Sequence, residues 1–242
     1  MKRYDNYIFD LYGTLVDIRT DEREPLLWLR LQLWYAEHGA FYESPDALRD
    51  AYLCLCAEKQ AEDPDPLYEL ELREVFRDLF AAKDVTADPS LIEASAVFFR
   101  IQSTQKLRLY PWVRPVFKQL RAAGKKIFLL SNAQACFTNP ELTALGLADA
   151  FDGIVLSSDA KIKKPSVKIM EGLLKKYDLS VSDCLMTGND LNTDIAVAKA
   201  FGMDSLYLET ETSGPFNPEK AGTYALSDGN WNRLPALLGL KA

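Results

Sequence analysis

The sequence predicts an α/β fold in which a helix-covered parallel sheet is interrupted by an all-helical domain. Three observations carry that prediction. From Leu107 onward, short and almost continuously apolar segments alternate with amphipathic stretches, the pattern of a parallel sheet buried on both faces. One further apolar segment, Tyr7-Ile8-Phe9, stands alone near the N-terminus. Between the two lie about 80 residues of helical periodicity, far more than a connecting loop holds. The 242 residues leave room for one large domain or two modest ones at about 100–200 residues each. The division expected is a three-layer core made of residues 1–16 and 107–242, with residues 17–106 forming a helical cap domain.

Each element has its own signal. Tyr7-Ile8-Phe9 reads as a buried strand ended by Asp10 and a Gly13-Thr14 turn. A helix over residues 25–38 stops at Gly39, and a second opens at Ser44-Pro45, a cap followed by proline at the first helical position. A third places Tyr68, Leu72, Val75, Phe76 and Leu79 on one face. A fourth opens at Asp88-Pro89 and runs through Phe98 and Phe99. A helix over 112–123 ends at Gly124, and the strand over 126–130 closes in Ser131-Asn132. A strand over 151–156 leads by a loop to Lys164-Pro165 and an amphipathic helix over 166–177. The strand over 184–186 breaks at Gly188-Asn189-Asp190, followed by a helix to Phe201. Short strands near 206–208 and 224–226 precede a final short helix.

Composition removes several classes of function. The net charge is −7, with no basic stripe to meet a phosphate backbone, so no nucleic-acid partner is expected. No apolar run approaches the ~18–20 residues of a membrane span. Residues 1–10 show neither the apolar core nor the small-residue cleavage site of a signal peptide, so a cytoplasmic location is expected. Cys54, Cys56, Cys136 and Cys184 form no CxxC pair, and Cys54 and Cys56 are expected to be buried small hydrophobes. His38 is the one histidine, which excludes a multi-histidine metal site. The pattern is silent on oligomeric state.

In open α/β sheets, ligands bind at the carboxyl ends of the strands. Those ends carry Asp10 to Thr14, Ser131-Asn132, Lys164, and Gly188-Asn189-Asp190 with Asp194. Together these residues resemble the four motifs of the haloacid dehalogenase superfamily of hydrolases, over nearly the whole chain. Ile8-Phe9-Asp10-Leu11-Tyr12-Gly13-Thr14 is similar to its Asp-x-Asp-Gly-Thr motif except at Tyr12. Leu129-Leu130-Ser131-Asn132, Lys164-Pro165 and the acidic turn from Gly188 to Asp194 are similar to the other three.

The resemblance implies a Rossmann-like core, a helical cap and a reaction at Asp10. Asp10 would attack phosphorus to form an aspartyl-phosphate, and bound Mg²⁺ would offset the meeting of two negative groups. The implied metal ligands are Asp10, the Tyr12 carbonyl and Asp190, with Asn189 and Asp194 beside them. Lys164 would neutralise charge, Ser131 would donate to a phosphoryl oxygen, and Leu11, Gly13, Thr14 and Asn132 would help hold the phosphate. A small phosphorylated metabolite is the expected substrate.

Two positions depart from the family's phosphatase pattern. Tyr12 stands where most of its phosphatases carry a second aspartate, and a phenol is a poor proton carrier at neutral pH. Tyrosine at this place is what the dehalogenase subgroup carries. Asn189 stands where an acid often follows the glycine. A metal-independent 2-haloacid dehalogenase and a non-catalytic phosphate-binding protein are therefore the alternatives, while Asp190 and Asp194 keep the region acidic and favour phosphate chemistry. Trp28, Trp34 and Tyr35 are expected to form an apolar packing face rather than a substrate wall. Arg23 and Arg30 could meet an anionic substrate or stand in solvent.

Overall fold

The computed structural model describes residues 3–240. Its strands are β1 (Asn6–Phe9), β2 (Val16–Thr20), β3 (Thr104–Leu109), β4 (Lys126–Ser131), β5 (Gly153–Leu156), β6 (Cys184–Gly188), β7 (Asp204–Leu208) and β8 (Tyr224–Leu226). Its helices are α1 (Pro25–Glu37), α2 (Pro45–Gln60), α3 (Leu72–Ala81), α4 (Pro89–Ser103), α5 (Val113–Ala122), α6 (Ala135–Ala144), α7 (Ser157–Ala160), α8 (Val167–Lys176), α9 (Asp194–Ala200) and α10 (Leu234–Leu237). Six strands form one sheet in the order β5-β4-β1-β6-β7-β8, and every neighbouring pair is parallel.

Burial on both faces explains the continuous apolar runs. Side chains alternate across a strand, so Tyr7 and Phe9 of β1 join one buried cluster with Ile127, Leu129 and Leu185. Ile8 joins the opposite cluster with Phe128, Leu130 and Met186. β1 thus lies in the sheet's interior between β4 and β6, which sets the residue after it, Asp10, between the ends of two neighbours.

Helices α1 to α4 pack around a cluster of their own that includes Trp28, Tyr35, Tyr52, Phe76 and Phe99. Phe137 of α6 inserts into it, with its ring stacked 6.0 Å from that of Phe99. The predicted caps form: Ser44 Oγ accepts from Ala47 N at 3.1 Å, and Asp88 Oδ1 accepts from Leu91 N at 2.9 Å. Each satisfies a backbone donor that the first helical turn leaves open.

Several elements differ from the sequence reading. β2 and β3 form a separate antiparallel pair, and polar alternation hid both strands. Asp17 of β2 lies between Lys106 Nζ at 3.0 Å and Arg108 Nε at 2.8 Å from β3. α6 escaped detection because Pro140 falls inside it and prolines normally mark helix ends. α3 begins at Leu72 rather than near Tyr68, which instead forms a bridge with Ile162. Cys54 is exposed and Cys56 half-buried, contrary to the expectation that both are core residues; Cys136 and Cys184 are buried. Trp28 and Tyr35 are buried within the helical cluster, as a packing face requires. Arg23 and Arg30 are exposed, and Arg30 donates to Gln102 Oε1 at 2.6 Å. No helix among the described residues is long and apolar enough to cross a membrane.

Candidate active site

Asp10 leaves the sheet by one last ladder bond, its N–H donating to Thr187 O at 2.9 Å. The chain then turns tightly, with Leu11 O accepting from the N–H groups of Thr14, Leu15 and Val16. Gly13 has φ +83°, and a Cβ there would come within 2.6 Å of Asn189 Nδ2 and 2.4 Å of Thr212 Oγ1. Glycine alone fits this turn, on both conformational and steric grounds. The Gly13 N–H is committed to Val16 O at 2.8 Å, which removes it from the set expected to hold phosphate. The Leu11 and Tyr12 N–H groups take no protein acceptor among the described residues.

Three groups predicted from sequence converge on the Asp10 carboxylate, which is 6% exposed. Ser131 Oγ donates to Oδ1 at 3.0 Å, Lys164 Nζ donates to the same oxygen at 2.7 Å, and Thr14 Oγ1 donates to Oδ2 at 3.1 Å. Lys164 Nζ also reaches Asp194 Oδ1 at 2.7 Å and Leu130 O at 2.8 Å. Its three protons are therefore matched by three acceptors. Asn132 serves this arrangement indirectly. Its side chain pairs with the backbone of Lys164 in both directions, at 3.0 and 2.7 Å, and so fixes where the lysine starts.

The electrostatics follow from burial. Burial alone would depress the Lys164 ammonium, but the Asp10 and Asp194 carboxylates outweigh it and hold its pKa above the usual lysine value. Burial, with the like charge of Asp10 behind it, pushes Asp194 up to about 6 against the pull of Lys164. Two carboxylates and one ammonium leave the cluster with a surplus negative charge when all are ionised.

Tyr12 has a different set of partners, which the sequence did not reveal. Its hydroxyl donates to Glu141 and lies 3.1 Å from Thr138 Oγ1, both on α6. Arg100 of α4 donates to the other oxygen of Glu141 at 2.6 Å, and its guanidinium lies 5.4 Å from the Tyr12 ring centre. Burial and the Glu141 charge hold the phenol far above its ordinary pKa. A tyrosine so placed keeps its proton at neutral pH. The one advance signal was the i, i+3 spacing of Thr138 and Glu141, which carries meaning only once α6 is recognised.

Two of the residues expected at a metal, Asp190 and Asp194, are engaged with other partners. Asp194 spends Oδ1 on Lys164 and Oδ2 on the Asp190 N–H at 3.0 Å. Asp190 turns its carboxylate to the Asn192 N–H at 2.7 Å and lines a different cavity beside Tyr207 and Phe216. No group of three or more His, Cys, Asp or Glu side chains among the described residues is arranged to hold a metal. What remains is an oxygen set: Asp10 Oδ2 and Asn189 Oδ1 both face Thr14 Oγ1, at 3.1 and 3.2 Å. One hydroxyl proton cannot serve two acceptors. An acceptor is thus left short of a partner, a vacancy in hydrogen bonding that suits a hard cation with one carboxylate and several waters. Asn189 is oriented for this by Thr212 Oγ1, which accepts from Nδ2 at 3.1 Å. Thr210 Oγ1 ties the same loop to Gly13 O at 2.8 Å; neither threonine was found from sequence.

A cavity of about 410 Å³ opens beside this cluster. Tyr12, Asn132 and Gln134 line its sheet side, and Glu22, Tyr52 and Arg100 line the side toward the helical layer.

A parallel sheet with its polar groups gathered at the carboxyl edge, beside a cavity of metabolite size, is the build of an α/β protein with a small-molecule site. The chain belongs to the haloacid dehalogenase-like hydrolase family, whose model matches residues 4–202. It is 38% identical over 104 residues to a phosphoglycolate phosphatase of Yersinia pseudotuberculosis, covering 43% of this chain and 44% of that protein. It is 25% identical over 126 residues to a glyceraldehyde 3-phosphate phosphatase of Pyrococcus abyssi, covering 52% and 53%. The chain thus spans about half the length of the curated relatives it matches. Among solved structures, a 2-haloacid dehalogenase of Pseudomonas syringae superposes with a TM-score of 0.66 at 21% identity, over 98% of both chains; at that identity the likeness is one of fold.

Proposed function

We propose that the protein is a Mg²⁺-dependent phosphatase that hydrolyses a small phosphorylated metabolite through an aspartyl-phosphate on Asp10. The observation that carries this reading is the asymmetry of the Asp10 carboxylate. Oδ1 is held by Lys164 and Ser131, whereas Oδ2 has Thr14 as its partner and is the atom free to attack. Leu11 and Tyr12 offer uncommitted N–H groups next to it, as oxygen-rich phosphoryl groups require. The names of the sequence relatives, phosphoglycolate and glyceraldehyde 3-phosphate phosphatases, support the same chemistry.

In this reading Asp10 Oδ2 forms a bond to phosphorus as the ester P–O bond breaks. The leaving alkoxide takes a proton from solvent, because the Tyr12 hydroxyl is locked on Glu141. Water then attacks phosphorus and gives up its proton to solvent while the Asp10 Oδ2–P bond breaks, which regenerates Asp10 and releases phosphate. Lys164 holds Oδ1 in place, and Ser131 fixes the rotamer. Mg²⁺, held by Asn189 and the Tyr12 carbonyl beside Asp10, would supply the positive charge that lets Oδ2 approach a phosphate. Residues 17–106 act as a cap whose α4 closes the cavity through Arg100.

The immobilised Tyr12 favours a second reading, a 2-haloacid dehalogenase in which the same oxygen attacks carbon and needs no metal. The two are separated by paired assays on p-nitrophenyl phosphate and 2-chloropropionate, each with Mg²⁺ and with EDTA. Phosphate release that requires Mg²⁺ and disappears in Asp10→Asn is the expected result. Halide release that survives EDTA would overturn the phosphatase reading.

A further inference from the structure

We propose that the alcohol half of the substrate carries an ammonium group, recognised by Glu22 and Glu69 in the cavity beside Tyr12; this rests on the phosphatase reading and names its substrate class. The cavity presents three charged side chains, Glu22, Glu69 and Arg100. The charge of Arg100 is already used: its Nε lies 2.6 Å from Glu141 Oε1, and the two side chains are 13% and 8% exposed. Neither glutamate has such a partner. Glu69 accepts from Gln134 Nε2 at 3.2 Å and from Ser157 Oγ at 3.0 Å. These neutral donors orient its carboxylate without cancelling its charge. Glu22 lines the cavity from its solvent-exposed side and makes no ion pair among the described residues. A cation bound in the cavity would meet both carboxylates.

The rest of the wall suits the same guest. Tyr52 and Phe137 line the cavity and are otherwise buried, and aromatic faces attract ammonium groups. A substrate carboxylate would instead meet two unpaired glutamates, with the nearby cation committed elsewhere. An ammonium close to the ester oxygen also answers a need of the reaction. Tyr12 cannot give up its proton, so the departing alkoxide gains from positive charge that the substrate brings with it.

The test compares phosphomonoesters of similar size: O-phosphoethanolamine, glycerol 3-phosphate and phosphoglycolate, with p-nitrophenyl phosphate as reference. We expect kcat/KM for phosphoethanolamine to exceed that for glycerol 3-phosphate by about tenfold or more, the worth of one charge-assisted contact. Phosphoglycolate should rank last. Glu22→Gln and Glu69→Gln should each lower the phosphoethanolamine to glycerol phosphate ratio by about tenfold, a readout that partial misfolding would not move. Turnover of p-nitrophenyl phosphate with equal rates on the three esters, with none of them, or with phosphoglycolate preferred would overturn this inference alone. No phosphate from any of the four would overturn the phosphatase reading and this inference with it.

Discussion

Replacing Lys164 by methionine keeps the volume of the side chain and removes its charge, leaving Asp10 and Asp194 buried together without a cation. The wild-type ammonium donates to both carboxylates at 2.7 Å and to Leu130 O at 2.8 Å, and its side chain is 1% exposed. Breaking a buried pair by removing one partner costs about 3–5 kcal/mol. The cost must depend on pH. Asp194, already raised to about 6, would rise further without Lys164. A carboxyl whose folded pKa lies above its unfolded value binds protons more readily in the folded state. Stability therefore increases as pH falls through the folded value. The penalty of Lys164→Met should be full at about pH 8 and clearly smaller at about pH 5.5. Urea unfolding of wild type, Lys164→Met, Asp194→Asn and the double variant at both pH values measures this. The double variant should be more stable than the sum of the single losses, by about 1–3 kcal/mol. Additive losses, or a penalty that grows on acidification, would refute the account of the cluster.

Other expectations follow from single contacts. Gly13→Ala places a methyl 2.6 Å from Asn189 Nδ2 and 2.4 Å from Thr212 Oγ1 at φ +83°. A conformational cost of about 1–2 kcal/mol should appear in urea unfolding, with activity lost as the Asp10 loop shifts. Tyr12→Phe deletes the hydroxyl that donates to Glu141 and should cost about 1–2 kcal/mol of stability. Its kcat/KM should stay within about tenfold of wild type with an unchanged pH profile, because the phenol carries no proton in the reaction; a shifted profile would reinstate Tyr12 as acid or base. Asp17 is held below the ordinary aspartate pKa by Lys106 and Arg108. Its contribution is present above the unfolded pKa and lost as pH falls through the folded one. Asp17→Asn should thus cost about 1 kcal/mol near neutrality, the two cations being exposed and screened. The acid limb of its stability curve should also be flatter.

The sheet was legible because burial on both faces writes a continuous apolar run into each strand, as in Tyr7-Ile8-Phe9 and Lys126–Ser131. Asp10, Ser131 and Lys164 were legible because a reactive edge must place polar residues where such runs stop. β2 and β3 were hidden by their polar alternation, which reads as loop until Asp17 finds its partners across the pair. Asp190 and Asp194 show a different limit. Their acidity could be read, but not that a helix start would spend Asp194 on Lys164 and turn Asp190 aside. The Tyr12–Glu141–Arg100 contact joins a loop, α6 and α4, and no local pattern encodes it.

Chemical trapping at Asp10 tests the central claim most directly. The protein is turned over on p-nitrophenyl phosphate with Mg²⁺, quenched rapidly, reduced with borohydride and analysed by peptide mass spectrometry. An acyl-phosphate on Asp10 predicts conversion of that residue to homoserine, dependent on substrate and absent from Asp10→Asn. Phosphate release with no reduced residue at position 10, or by Asp10→Asn at the wild-type rate, would contradict it.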